Sequence, residues 1–443
     1  MKKTIFSMAF LLLAGYTASA QKVAFEEYDL DNGLHVILHQ DNSAPVVTTS
    51  VMYHVGSKDE EVNRTGFAHF FEHLLFEGTE NIKRGEWFKI VSSHGGSNNA
   101  NTTTDRTYYY ETFPSNNLQL GLWMESERMM HAVINQVGVD TQNEVVKEEK
   151  RQRVDNSPYG GLLYGTAVQP YLFKKHPYRT TTIGSMKDLD AAKLNEFIDF
   201  YHKFYIPNNA VLVVAGDIDV PQTKKWIKEY FAPIQKGNTI NRNFPKEDPI
   251  TQEIKTTEYD SNIQVPALGL VYRTPGMAEK DAYTLDMIST YLSGGKSSKL
   301  YKKMVDEKKS ALQVIAFNRP MEDYSMYNII ALPIGKTSLD TLETQIDEEI
   351  AKLQTNLISE DDYQKLQNIK ENDFVNANSG VEGIANTLAR DYMLYGNTNL
   401  INTEIDIYKS ITREDIRAAA KKYLNKNQRL RIEYLPESAK ESK

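Results

Sequence analysis

The chain contains no cysteine in its 443 residues. That absence excludes disulfides, a lipid-anchored cysteine and a thiol nucleophile. Beyond the first twenty residues there is no apolar run long enough to span a bilayer, which argues against membrane integration. An excess of positive charge is also missing. Lys and Arg number 51 against 59 Asp and Glu, a formal charge of −8, and without a basic stripe or RNA-binding motif no nucleic-acid partner is expected. Two catalytic signatures are absent as well. No Gly-x-Ser-x-Gly elbow occurs. The stretch "SGGKSS" would need a glycine at position 290 to form a phosphate loop, and that residue is Thr290.

What is present begins at the N-terminus. Lys2 and Lys3 precede an apolar run from Ile5 to Ala14, and Ala18-Ser19-Ala20 supplies a small-residue cleavage pattern. Residues 1–20 are therefore expected to be a signal peptide, with Gln21 the first mature residue. The protein is read as exported, periplasmic or secreted, with no membrane span. Losing Lys2 and Lys3 takes the charge from −8 to −10. About 420 residues remain, enough to bury a large core without disulfides.

The chain carries an internal repeat. "KFYIPNNAVLVV" at 203–214 matches "KKYLNKNQRLRI" at 421–432, and each follows an amphipathic segment. Tyr205 and Tyr423 lie 218 positions apart, while Tyr53 in "TSVMYHVGS" and Tyr272 in "LGLVYRTPG" lie 219 apart. Two nearly equal offsets predict duplicated domains over 22–235 and 250–436. A Pro-, Asn- and Gly-rich linker at 236–249 joins them, and a tail follows at 437–443, expected to fray. Alternating stretches such as "GLHVILHQ" and "VVTTSVMYHV" read as strands, and "LQLGLWMESERMMHAVI" as a helix. The expected fold is α+β: two duplicated α/β domains, each a mainly antiparallel sheet with helices packed on one face.

The chemistry concentrates in "TGFAHFFEHLLFEGT", residues 65–79. On a helix, His69 and His73 stand at i and i+4, with both imidazoles on one face about 6 Å apart. That separation suits two corners of a zinc site. Glu72 lies beside the pair, placed to act as general base on a metal-activated water. Gly78 is expected to close the helix as a left-handed cap. Structural histidines are satisfied singly by a backbone carbonyl. Three polar side chains among six large apolar residues would each need a buried partner of their own. Shifting this triplet by 219 positions gives Ile288, Tyr291 and Leu292, so only the first half carries ligands.

A third ligand is sought in "DTQNEVVKEEKRQRVDNSP", residues 140–158. Helical phase puts Glu149 on one face with Gln142, Val145 and Val146, the side expected to turn inward. Glu144 and Glu148 fall with Arg151 and Gln152, a solvated salt-bridge row. Phase therefore selects Glu149. Such an N/O ligand set takes zinc, and also accepts cobalt or manganese.

The motif H-x-x-E-H inverts the order found in thermolysin-like enzymes and marks the inverzincins. With "HGGSNNANTTTDRTYYY", "HPYRTTTIGSMKDL", "FYIPNNAVLVVAGD" and "LSGGKSSKLYKKM", the chain resembles the pitrilysin family of zinc metallopeptidases over nearly its whole length. The likeness is to the half-length type exemplified by mitochondrial processing peptidase subunits. In that family the third ligand follows the second histidine by about 76 residues, and Glu149 is 76 positions after His73. The resemblance implies one Zn2+ per chain on His69, His73 and Glu149, with Glu72 catalytic. It also implies that the "GGxxNAxT" strand is an exposed edge, with Asn99 and Ala100 beside the scissile bond of an extended peptide.

Two positions depart from the family pattern. Many relatives carry a glutamate seven residues before the third ligand, where this chain has Gln142, a change expected to alter the hydrogen bonds around the ligands. Larger relatives also place an Arg and a Tyr seven apart in the silent half to grip substrate. "YSMYNIIALPIGKTSLDTLE" has no arginine with that spacing. The resemblance thus implies a homodimer or a heterodimer with a homologous subunit that supplies the grip. The expected function is a zinc-dependent endopeptidase acting on extended peptides or unfolded small proteins after export. The alternative is a non-catalytic peptide-binding subunit or scaffold of a heteromeric peptidase, which need not retain all four residues.

Overall fold

The computed structural model describes residues 22–440; the expected signal peptide lies outside them. Two sheets form, one from each half of the chain. The first contains β1 (Glu26–Asp29), β2 (His35–Gln40), β3 (Val46–Tyr53), β4 (Ser97–Thr102), β5 (Thr107–Pro114) and β6 (Ala210–Gly216), ordered β1-β2-β6-β3-β5-β4. The second contains β7 (Ile254–Asp260), β8 (Ala267–Pro275), β9 (Ala311–Arg319), β10 (Tyr324–Pro333) and β11 (Arg429–Pro436), ordered β7-β11-β8-β10-β9. Leaving out β1, the two orders are the same. Each sheet is antiparallel except for one parallel pair, β2 with β6 and β7 with β11.

The 219-residue offset persists at the level of single pairs. Tyr53 opposes Ala210, and Tyr272 opposes Arg429. The helices that lead into these strands, Leu194–Phe204 and Arg413–Tyr423, stand at the same offset. The two halves are a structural duplication, mainly antiparallel, with each half's own helices on one face of its sheet.

The alternation of side chains sorts each strand between two cores. In the first sheet Val47, Val51, Tyr53, Leu212 and Val214 point to the face that packs the helices of that half. Ile37, Met52, Tyr108, Val211 and Val213 point the other way. Central strands such as "AVLVVAG" are consequently buried on both sides. What covers the second face comes from the opposite half. Helix Val381–Tyr395 places Ile384, Ala385, Leu388 and Ala389 against the back of the first sheet. The short helices Gly160–Leu163 and Gln169–Leu172 place Leu162, Val168 and Leu172 against Ala267, Val271, Ile330 and Ile432 of the second. The exchange is reciprocal, and the exchanged segments are themselves about 219 residues apart.

Residues 236–253 form no helix or strand. At the other end, Glu437–Lys440 make a 3-10 turn, with the Lys440 ammonium 4.8 Å from the Tyr259 ring centroid, where composition suggested fraying. Among the described residues no helix is long and apolar enough to cross a membrane.

Candidate metal centre

The H-x-x-E-H segment folds as the helix Phe67–Leu74. Its apolar residues Phe67, Phe70, Phe71 and Leu74 are buried. The rings of Phe67 and Phe70 lie 4.5 and 4.7 Å from Phe197, and that of Phe71 lies 5.2 Å from Phe200. This aromatic packing fixes the helix rotation, which in turn fixes where the polar triplet points.

Both helix ends are held by ionisable side chains. At the N-terminus the Glu60 carboxylate accepts from the Gly66 and Ala68 amides, each at 2.9 Å. Burial pushes the Glu60 carboxyl well above its ordinary range, although those two amides oppose the shift. The "TIGSMKDL" loop presses on the same end. A Cβ at Gly184 would come within 2.4 Å of the Thr65 carbonyl oxygen, so only glycine fits that approach. At the C-terminus Arg128, fully buried, donates to the Leu75 carbonyl at 3.1 Å. Its guanidinium pairs with Glu111 at 2.9 Å and Glu125 at 3.1 Å, and lies 4.1 Å from the Trp87 ring centroid. The helix stops at Leu74, so Gly78 is not its cap. Gly78 instead turns the chain with φ near +125°, where a Cβ would meet Ile82 O at 2.6 Å.

The helix Gln136–Lys150 delivers Glu149, capped at its start by Asn135 Oδ1 accepting from Gly138 N at 2.9 Å. Val146 is buried and Glu149 half-buried beside it, whereas Glu144 and Glu148 are exposed. Glu144 pairs with Lys147, and Glu148 with Arg151 and Gln152. Val145 is 43% exposed, in contrast to the inward position expected from phase. It stands about 100° around the helix from Val146, outside the narrow stripe that packs.

His69, His73 and Glu149 are the one group among the described residues whose His, Cys, Asp or Glu ligand atoms could share an ion, all within 4.8 Å of one another. His69 Nε2 lies 3.3 Å from His73 Nε2 and 3.5 Å from Glu149 Oε2, and His73 Nε2 lies 3.1 Å from that oxygen. Zinc bonded to N and O at about 2.0–2.1 Å in tetrahedral geometry spaces neighbouring ligand atoms about 3.3 Å apart. The three donors therefore fit a zinc ion. Burial would raise the Glu149 carboxyl, yet the facing imidazoles outweigh it and hold the group well below the usual carboxylate range. Its second oxygen meets Arg153 at 3.0 Å.

Glu72 is half-buried beside the pair, and Thr102 Oγ1 donates to its Oε2 at 2.6 Å. Thr102 ends β4, the edge strand of the first sheet. On that strand Asn99 is exposed and Ala100 half-buried, and Asn99 Oδ1 accepts from the Ala100 amide at 2.9 Å. Gln142 does not reach the three donors. Its amide donates to Glu77 Oε1 at 2.6 Å, one turn beyond His73, and Glu77 also pairs with Arg84. Sequence reasoning gave no role to Thr102, the last fixed position of the "GGxxNAxT" strand, or to Arg128. The alternation that places Ala100 toward the helices also puts Thr102 there, whereas nothing local marks Arg128 as buried.

In the second half the positions matching His69, Glu72 and His73 are Ile288, Tyr291 and Leu292, the first and last fully buried. The position matching Glu149 is Asn368.

Comparison with known proteins agrees with this division. "Insulinase (Peptidase family M16)" matches residues 35–182, and "Peptidase M16 inactive domain" matches residues 191–370. The chain is 30% identical over 399 residues to "Zinc protease PqqE" of Helicobacter pylori, covering 88% of this chain and 89% of that one. A crystal structure of a protease from Helicobacter pylori superposes with a TM-score of 0.87 at 28% identity, covering 94% of this chain and all of that one. The periplasmic protease PqqL of Escherichia coli shares the fold, with a TM-score of 0.77 at 19% identity over 94% of this chain and 48% of that one. From the two matched halves and the relative of equal length, the chain belongs to peptidase family M16, the insulinase or pitrilysin family.

Proposed function

We propose that this protein is a zinc-dependent endopeptidase that hydrolyses extended peptides or unfolded small proteins after export. The observation that carries the reading is the convergence of His69, His73 and Glu149, from two separate helices, around one point beside a hydrogen-bonded Glu72. In a bound state, zinc supplies Lewis-acid activation of water and of the peptide carbonyl. The two imidazoles and the Glu149 carboxylate hold it. Glu72 takes the proton from the attacking water and returns it to the departing amine. Arg153 bonds the outer oxygen of Glu149 and so orients the inner one.

The open edge of β4 accounts for recognition without sequence preference, since an added strand is held by main-chain bonds. In the free protein Asn99 Oδ1 caps the Ala100 amide. An incoming peptide carbonyl replaces that side chain. Gln142 acts at one remove, through Glu77.

Export rests on the N-terminal pattern of basic, apolar and small residues. Assembly as a homodimer or heterodimer belongs to the same reading, since "YSMYNIIALPIGKTSLDTLE" has no arginine seven residues from a tyrosine to grip substrate. The deciding experiment is Glu72→Gln. The variant is expected to retain one zinc per chain and to lose cleavage of an unstructured reporter peptide by at least about 100-fold. Zinc binding with no chelator-sensitive, Glu72-dependent cleavage, alone or with a homologous subunit, would instead make the chain a peptide-binding scaffold.

A further inference from the structure

We infer that Thr102 is a positioning residue that ties the general base to the substrate-binding strand. This rests on the peptidase reading above and adds to it how Glu72 is aimed. The Thr102 hydroxyl donates to Glu72 Oε2 at 2.6 Å, the short spacing of an O–H to carboxylate bond. One carboxylate oxygen is thereby occupied, and Oε1 is left to accept from water. A glutamate side chain on a helix surface otherwise samples several rotamers, and the second anchor point removes that freedom.

The hydroxyl is itself held firmly. Thr102 pairs with Thr107 across the β4–β5 hairpin. The turn beyond it is closed by Thr103 N donating to Arg106 O at 2.9 Å. Within that turn the buried Asp105 carboxylate meets Lys58 at 3.0 Å and accepts from Tyr178 Oη at 2.5 Å. It also accepts from the Glu322 amide, in the loop between β9 and β10 of the second half, at 3.1 Å. Thr102 shares a strand face with Ala100, two residues away, while the alternate residues Asn99 and Asn101 point to the opposite face. A peptide paired along β4 is therefore placed against the same rigid element that aims Glu72. Strand and base move as one unit, so pairing brings the scissile carbonyl and the base into register.

The test uses the zinc-loaded full-length protein. Thr102→Val keeps the shape and removes the hydroxyl, and Thr102→Ser restores it. For Thr102→Val, kcat on an unstructured reporter peptide is expected to fall about 10- to 100-fold, with KM within about twofold and zinc content unchanged. Thr102→Ser should recover most of kcat. Crystal structures should show Glu72 in one rotamer in wild type and Thr102→Ser, and in more than one in Thr102→Val. If Thr102→Val misfolds, Thr102→Ala takes its place in the same comparison. Glu72-dependent cleavage that is indifferent to Thr102→Val, or lost equally in Thr102→Ser, would overturn the proposal. So would a single Glu72 rotamer in Thr102→Val. Absence of any Glu72-dependent cleavage in wild type would instead sink the peptidase reading beneath it.

Discussion

Replacing Arg128 with Met tests how the motif helix is anchored. Arg128, Glu111 and Glu125 are all fully buried. The variant leaves two carboxylates without their counter-ion, removes the donor to Leu75 O, and strips cation–π contacts to Trp87, Phe76 and Tyr109 at 4.1, 4.5 and 4.3 Å. Breaking one partner from a buried ion network costs about 3–5 kcal/mol. Against a total of roughly 5–15 kcal/mol that is a large share, and a fall in melting temperature on the order of 10 °C is expected. Urea unfolding followed by fluorescence is well suited, because Trp87 lies against the guanidinium. The penalty should depend on pH. Burial already pushes the Glu111 carboxyl well above its ordinary range, Glu125 adding to the shift and Arg128 opposing it. A carboxyl raised in the folded state contributes stability below its unfolded pKa and loses it as pH climbs toward the folded value. With Arg128 gone the folded value rises further, so the variant should lose stability relative to wild type as pH climbs from the wild-type folded value to the variant's. Adding Glu111→Gln and Glu125→Gln should recover most of the deficit. A midpoint shift worth under about 1 kcal/mol would refute the argument.

Three further outcomes are expected. Glu149→Gln should weaken zinc binding by at least about 10-fold in competitive chelator titrations, and Glu148→Gln should leave it unchanged; equal effects would reject the assignment of ligands. Asp391 sits fully buried beside Arg390, and burial, opposed by that arginine, pushes its carboxyl up to about 7. Stability from this group is present below the unfolded value of about 4 and falls by up to about 1.4 kcal/mol per pH unit on the way to 7, so Asp391→Asn should flatten the denaturation profile in that window, and an unchanged slope would exclude Asp391 as its source. Sedimentation of the zinc-loaded chain should show two subunits, alone or with a homologous subunit, at concentrations where cleavage is seen; a fully active monomer would count against the paired assembly.

The parts of the molecule set by local pattern were readable from the sequence, and the parts set by contact between distant segments were not. The six apolar residues around His69, Glu72 and His73 prescribe a buried helix, and helical phase separates Glu149 from the exposed Glu148. Phase failed for Val145, because a helix that packs through one narrow stripe leaves its flanks in solvent whatever their hydrophobicity. Gly78 was misread because the helix end is stabilised by Arg128, which lies 53 positions from Leu75. Within "WMESERMM" Glu125 is a local partner for Arg128, but the contacts from the distant Glu111 and Leu75 that complete its burial leave no local mark. The offset of 219 residues revealed duplication, yet a repeat in one dimension carries no sign that two helices change places.

That exchange makes the two halves inseparable. A gene cut within residues 236–249 would yield two plates, each with one bare side. The first would present Ile37, Met52, Tyr108, Val211 and Val213 to water in place of the helix now lying over them. The repeat without the ligand set is therefore the lining of the repeat that carries it.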